Sequence, residues 1–186
     1  MDVIRPTAGT GRDFADEVLT ETSQEIALCY QCGNCTAGCP YTEFFDYPVN
    51  QIMRLIQMGM RETVMSSRSI WLCATCETCT TRCPCEIDVA CIMDYLRATA
   101  FRERRYTEKE IKIFYEAFLS SLKSHGRIFE PGVLMHYNLI SGHLLTDADL
   151  GTKVVRKGLV RFLPRTIKGK QEVAKVFSKF AAKRAK

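Results

Sequence analysis

Two stretches of this sequence have the residue types and spacing to hold an inorganic cluster. Cys29, Cys32, Cys35 and Cys39 precede Pro40. Forty-four positions on, in the same register, Cys73, Cys76, Cys79 and Cys83 precede Pro84. The run C-x2-C-x2-C-x3-C-P is the ligand pattern of a cubane 4Fe–4S cluster, and two copies imply two clusters. A cubane takes four thiolates, one per iron. Three cysteines spaced by two residues curl around one face, with backbone N–H groups turned toward the sulfurs. The fourth lies one residue further on, and in two-cluster proteins it ligates the other cluster. The expected sets are therefore Cys29, Cys32, Cys35 and Cys83 for one cluster, and Cys73, Cys76, Cys79 and Cys39 for the other. Such crossed ligation ties both halves together and couples cluster binding to folding. Electron transfer is the chemistry this pattern serves, and no residue reads as a nucleophile or general acid for a substrate.

Four-cysteine zinc sites also use C-x2-C pairs, so a zinc-stabilised scaffold is the plainest rival. Zinc ribbons rarely carry three close cysteines and a fourth before proline, twice over. Disulfides fit least, because the chain starts without a charged-then-apolar signal segment and nothing points to an oxidising compartment. Ten cysteines less eight ligands leave Cys85 and Cys91. Cys85 follows Pro84 and competes with Cys83 for the fourth position; Cys83 is preferred because it preserves the repeat. Cys91 lies in a helical stretch and reads as a small buried apolar residue. A thiol pair of Cys85 and Cys91 would suit a self-sufficient disulfide reductase, a second rival.

The elements that must position these runs read as helices, and strand signals are scarce. A helix is expected within residues 12 to 28, ending at the first run. Pro48 to Met58 reads as another, with Ile52, Leu55 and Ile56 on one face and Gly59 as a stop. A short turn of helix follows around Glu62 to Met65. Asp88 to Arg105 places Val89, Ile92, Met93 and Leu96 on one face. Thr107 to Lys123 has a capping box in Thr107 and Glu110. Its expected apolar face is Ile111, Phe114, Tyr115, Phe118, Leu119 and Leu122, with Gly126 as C-terminal cap. Val133 to Ile140, Asp149 to Phe162 and Gln171 to Arg184 complete the series. The fold class is all-α: an α-helical ferredoxin with two cluster loops set between helix ends, whose N-termini favour negative charge. Residues 1–22 form an N-terminal extension, 23–106 the cluster domain, and 107–186 a helical, basic docking region.

Charge divides the chain in the same way. Residues 1–120 carry 12 Lys and Arg against 17 Asp and Glu, whereas residues 121–186 carry 14 against 4. An acidic redox half with a basic tail suggests docking on an acidic partner. No nucleic-acid-binding motif accompanies the positive charge, and no apolar run reaches the length of a membrane span. Gly9-Thr-Gly11 lacks a third glycine and a preceding strand, so it is a loop, not a dinucleotide fingerprint.

Within the runs, Tyr30, Asn34, Thr36, Thr78 and Thr80 are candidates for hydrogen bonding around sulfur, which tunes potential, or simply loop-forming polar residues. Trp71 is expected to pack and shield. His125, His136 and His143 form no ligand pair, and Met53, Met58, Met60 and Met65 read as core or interface filler. The cations Lys168, Lys170, Lys175, Lys179, Lys183, Arg184 and Lys186 form a solvated or partner-facing surface.

The paired runs, the helical spacer and the tail Gly158-Leu-Val-Arg-Phe-Leu-Pro-Arg-Thr-Ile-Lys-Gly-Lys-Gln-Glu-Val-Ala-Lys-Val-Phe177 together resemble the C subunit of heterodisulfide reductase. The cluster runs alone are shared with iron–sulfur subunits of succinate dehydrogenase and of glycerol-3-phosphate and glycolate oxidoreductases; the tail and the small size narrow the resemblance. It implies a cytoplasmic, non-catalytic electron-transfer role inside an oxidoreductase complex. The partners it implies are a flavin-bearing A subunit and a disulfide-reducing B subunit, with a hydrogenase or dehydrogenase module in some assemblies. The CCG-type cysteine motif of the B subunit does not occur in this sequence. In methanogens the disulfide is that of coenzyme M and coenzyme B; bacterial sets serve other disulfides, sulfur oxidation or electron bifurcation.

Overall fold

Apolar residues recurring every three or four positions produce helices and no strand among the described residues of the computed structural model, which are 11–142, 156, 157 and 163–184. Backbone contacts divide the chain into two compact units, Met1–Glu108 and Lys109–Lys186. The first holds α1 (Gly11–Thr22), α2 (Asn34–Ala37), α3 (Val49–Gln57), α4 (Arg61–Met65), α5 (Ser69–Leu72), α6 (Thr78–Thr81) and α7 (Val89–Arg102). The second holds α8 (Lys109–His125), α9 (Glu130–Ser141) and α10 (Lys170–Arg184).

In the first unit, α1 packs against both α3 and α7. Val49, Ile52, Met53 and Ile56 of α3 are buried, as are Val89, Ile92, Met93 and Leu96 of α7 and Phe14 and Val18 of α1. Each such side chain contributes about 1.5–3 kcal/mol on leaving water. The α3 and α7 stripes have the same sequence spacing, Val-x-x-Ile-Met-x-x-Ile against Val-x-x-Ile-Met-x-x-Leu, forty positions apart. Pro48 occupies the N-cap of α3, where a missing N–H costs nothing. Asp88 caps α7 by accepting from the Cys91 N–H at 3.0 Å. Met60 and Met65 join Met53 in the core, so three of the four methionines are filler.

Polar side chains fix how these helices meet. Arg61 pairs with Glu17 and Glu103, and Arg105 pairs with Glu62 and Glu103, linking α1, α4 and the end of α7. Asp46 accepts from the hydroxyls of Ser67 (2.7 Å) and Ser69 (2.6 Å) and the N–H groups of Arg68 (2.8 Å) and Ser69 (3.0 Å). Burial would raise its carboxyl, but the bonds from Ser69, Ser67 and the two amides hold it below the ordinary carboxylate value. Asp46 thereby pins the start of α5, the element that delivers Cys73.

In the second unit α8 packs against α9 and α10. Gly126 follows α8 at φ +74°, the left-handed end expected of it. Thr107 donates its hydroxyl to the Ser66 carbonyl at 3.1 Å, and Glu110 faces the Tyr137 hydroxyl. The predicted apolar face of α8 is only partly covered, because Phe114, Tyr115 and Leu119 are exposed while Ala117 is buried. The helix expected over Asp149 to Phe162 lies outside the described residues apart from 156 and 157, as do Gly9, His143, Lys186 and the Gly158 to Phe162 part of the tail. No helix among the described residues is long and apolar enough to cross a membrane.

Candidate metal centre

Both cysteine runs adopt one backbone shape. Gln31 and Gly33 take left-handed φ values of 65° and 80° in the first run. Thr75 and Glu77, at the matching repeat positions, take 48° and 61° in the second. Helices α2 and α6 then begin at the same offset from their cysteines. Left-handed turns of this kind point successive N–H groups into a concavity that suits an anion. A non-glycine residue in that region costs about 1 kcal/mol or more, so Thr75 and Glu77 are held there by their surroundings.

The loops meet face to face, with α2 packed on α6. A Cβ on Gly38 would lie 2.7 Å from the Arg82 side chain. Gly38 and Arg82 occupy the same repeat position, so the contact marks the axis relating the two halves.

Cys39, from the first run, lines one cavity with Cys73, Cys76 and Cys79 of the second. Its atom-free space is about 370 Å³ including the mouth, and Tyr41, Phe45, Val49, Ala90 and Met93 also line it. Val49 and Ala90 begin α3 and α7, so two helix N-termini border a space ringed by thiols. Cys83, from the second run, lies near Tyr30 and Cys85, as does Cys32 of the first. Cys85 is pushed up by desolvation and by the nearby charges of Cys83, Cys29 and Cys32. Cys35 is likewise raised by desolvation, with Cys29 as a charged neighbour. The four sulfurs around the Cys39 cavity match the soft, thiolate-rich ligation of iron–sulfur groups. Among the described residues, no group of three or more His, Cys, Asp or Glu is placed to hold a single metal ion.

Burial decides the protonation of these thiols in the free chain. It pushes Cys79 up to about 11 and raises Cys73 as well. Hydrogen bonding to Thr78 holds Cys76 below the ordinary thiol value. Ligation requires thiolates, so loading the site releases protons and is favoured by rising pH.

The polar residues of the runs sort themselves. Thr36 donates its hydroxyl to Asn50 Oδ1 at 2.7 Å and accepts the Asn50 N–H at 3.0 Å. Thr80 repeats the device, donating to Asp88 Oδ1 at 3.0 Å and accepting the Ala90 N–H at 3.2 Å. Each loop is thereby stitched to the first turn of the helix that follows it. Thr78 lies 3.4 Å from Cys76 Sγ, whereas Asn34 is exposed at the start of α2. Tyr30 is exposed beside Cys32. Gln31 donates to Cys29 Sγ at 3.4 Å. Trp71 is buried against the ring of Tyr106, 6.0 Å between centroids. Cys85 donates to the Leu28 carbonyl at 3.1 Å, and Cys91 is half-buried, more open than a core residue. His125 Nδ1 contacts the Ser121 carbonyl, and His136 is exposed.

Four residues of this centre have no signature in the cysteine runs themselves. Asn50 and Asp88 receive the loop threonines, and Gln57 and Arg97 hold the backbone ahead of and at Cys29 and Cys73. The repeated α3 and α7 stripes would have flagged Gln57 and Arg97 as a matching pair.

Residues 28–88 match the family described as "4Fe-4S dicluster domain". Among curated relatives, the second iron–sulfur C subunit of the CoB–CoM heterodisulfide reductase of Methanocaldococcus jannaschii is 38% identical over 97 residues, covering 48% of this chain and 52% of its own. The C subunit of the ferredoxin:CoB-CoM heterodisulfide reductase of Methanosarcina acetivorans is 37% identical over 92 residues, 50% of this chain and 37% of its own. The chain is similar to heterodisulfide reductase C subunits. A third relative, the C subunit of the H(2):CoB-CoM heterodisulfide,ferredoxin reductase of Methanothermobacter thermautotrophicus, is 29% identical over 89 residues, 48% of each chain. The matches span about half the length of these relatives or less. A 4Fe–4S dicluster domain within an all-α chain is what the sequence repeat, the helical fold and these relatives agree on.

Proposed function

We propose that this chain is a non-catalytic electron-transfer subunit with two 4Fe–4S clusters, working in the cytoplasm within a heterodisulfide reductase-type complex. Cys29, Cys32, Cys35 and Cys83 hold one cluster; Cys73, Cys76, Cys79 and Cys39 hold the other. The observation that carries this reading is the presence of Cys39 in the wall of the cavity formed by Cys73, Cys76 and Cys79. A cysteine that crosses from one run to the other's site is what a two-cluster ferredoxin needs.

Each cluster supplies one-electron redox chemistry when bound. The residues of this chain fix the sulfurs, present helix N-termini to a negative group and close one wall with Phe45 and Met93. Two one-electron sites in series connect a two-electron flavin on the A subunit with a two-electron disulfide centre on the B subunit. Residues 107–186 are the docking region. Their exposed Lys168, Lys170, Lys175 and Lys179 suit an acidic partner surface.

Iron and sulfide analysis of protein purified without oxygen, with EPR of the dithionite-reduced form, tests this. About eight irons and eight sulfides with an interaction-broadened signal are expected. Cys39→Ser should disturb the same cluster as Cys79→Ser, and Cys83→Ser the same cluster as Cys35→Ser. Stoichiometric zinc without an EPR signal would sink the redox reading.

A further inference from the structure

The two halves of the centre clamp their first cysteine in the same way, with one change of charge. In the first half, Gln57 of α3 donates through Nε2 to the carbonyls of Ile26 (3.0 Å) and Cys29 (2.9 Å). In the second half, Arg97 of α7 donates to the carbonyls of Ile70 (Nε, 2.9 Å) and Cys73 (Nη2, 2.7 Å). Ile26 and Ile70 are forty-four positions apart, as are Cys29 and Cys73. Gln57 and Arg97 are forty apart, as are Asn50 and Ala90, whose N–H groups bond Thr36 and Thr80. A side chain seven residues further along the helix thus clamps the same two carbonyls in each half. It is a neutral amide in one half and a guanidinium in the other.

The cation bears on sulfur. Arg97 donates to the carbonyls of Ile70 and Cys73, which places a guanidinium against the backbone of a proposed ligand cysteine. Asp88 of the same half accepts from the N-terminus of α7 and from Thr80, and its charge acts on Cys91. Neutral side chains reach sulfur in both halves, Gln31 on Cys29 and Thr78 on Cys76.

We propose that Arg97 makes the two sites unequal: it raises the reduction potential of the group held by Cys73, Cys76, Cys79 and Cys39 above that of the group held by Cys29, Cys32, Cys35 and Cys83. Reduction adds a negative charge, and a fixed cation stabilises the more negative state. One electron then passes downhill from the first site, which is oxidised, to the second, which is reduced. No proton moves and no bond breaks, and a reduced flavin or low-potential one-electron donor refills the first site. Arg97 acts through the Cys73 segment, so it is a positioning and tuning residue, not a catalytic one.

This inference rests on the two-cluster reading, and the experiment separates the two. Holoprotein is first assayed for iron and sulfide; fewer than two clusters would defeat the reading itself. A redox titration followed by EPR then compares the unaltered chain with R97Q, R97K and Q57R. Gln at 97 retains the donors that Gln57 uses, so a lost charge is read apart from a lost clamp. Two waves are expected in the unaltered protein. R97Q should lower the upper wave alone, R97K should leave it in place, and Q57R should raise the lower wave and narrow the gap. The proposal is overturned by coincident waves in the unaltered protein, by R97Q leaving both waves where they were or moving the lower one, or by R97K shifting the upper wave as far as R97Q does.

Discussion

The two units of this chain meet the same requirement, burying the apolar faces of short helices, with different results. In the first, Ile52, Ile56, Ile70, Ile92, Met93 and Leu96 reach 0% exposure around a pair of stitched loops. In the second, Ala117 and Val133 are buried, while Leu134, Met135, Leu139 and Ile140 of α9 stand 55–72% exposed. Val176 and Phe180 of α10 are open as well. The difference teaches where each unit gets its order. The first closes a core beneath its loops and leaves Leu28, Tyr30 and Phe44 exposed around them. The second exposes contiguous apolar side chains beside lysines, the composition of a surface meant to be covered.

Removing the iron should separate the units most widely. Chelation under oxidising conditions is expected to collapse amide exchange protection in α2, α3, α6 and α7, because the proposed ligand sets cross between the loops, and to leave α8 and α9 unchanged. Equal loss in both units would mean that the second depends on the first. A smaller contrast comes from truncating one apolar side chain in each. Ile92→Ala should cost about 2–5 kcal/mol in denaturant unfolding of the holoprotein, whereas Leu139→Ala should stay within about 0.5 kcal/mol. A large effect at Leu139 would show that α9 is already covered in the isolated chain. Finer still, Thr36→Val and Thr80→Val should each cost about 1–3 kcal/mol by orphaning a helix N–H. Similar values would sharpen the repeat within the first unit; a clear disparity in cluster retention between the two variants would break it.

The centre was legible in the sequence to the extent that ligands announce themselves. Cysteine spacing located both loops, and Cys39 lines a cavity with Cys73, Cys76 and Cys79. The supports were not legible for two reasons. Four extra residues between Cys39 and Val49, compared with Cys83 and Val89, shift the helix repeat from forty-four to forty positions, so the match of Gln57 with Arg97 shows only when the α3 and α7 stripes are aligned on each other rather than on the cysteines. The left-handed backbone of the second loop falls on Thr75 and Glu77, residues that do not advertise positive φ as Gly33 does. In the second unit the periodicity of α8 indicated a helix, and the helix is there. Periodicity marks which face is apolar, however, and not whether anything lies against it, so the exposure of Phe114 and Leu119 had no sequence signal.

The ion pairs of Arg61 fix an order of events during synthesis. Glu17 on α1 waits for Arg61 and Tyr95, and Arg61 in turn waits for Glu103. The polar network that seats α1 is therefore complete only with α4 and the end of α7, far along the chain. Both cysteine runs lie between Glu17 and Glu103 in sequence, so that network closes only after both runs have been made.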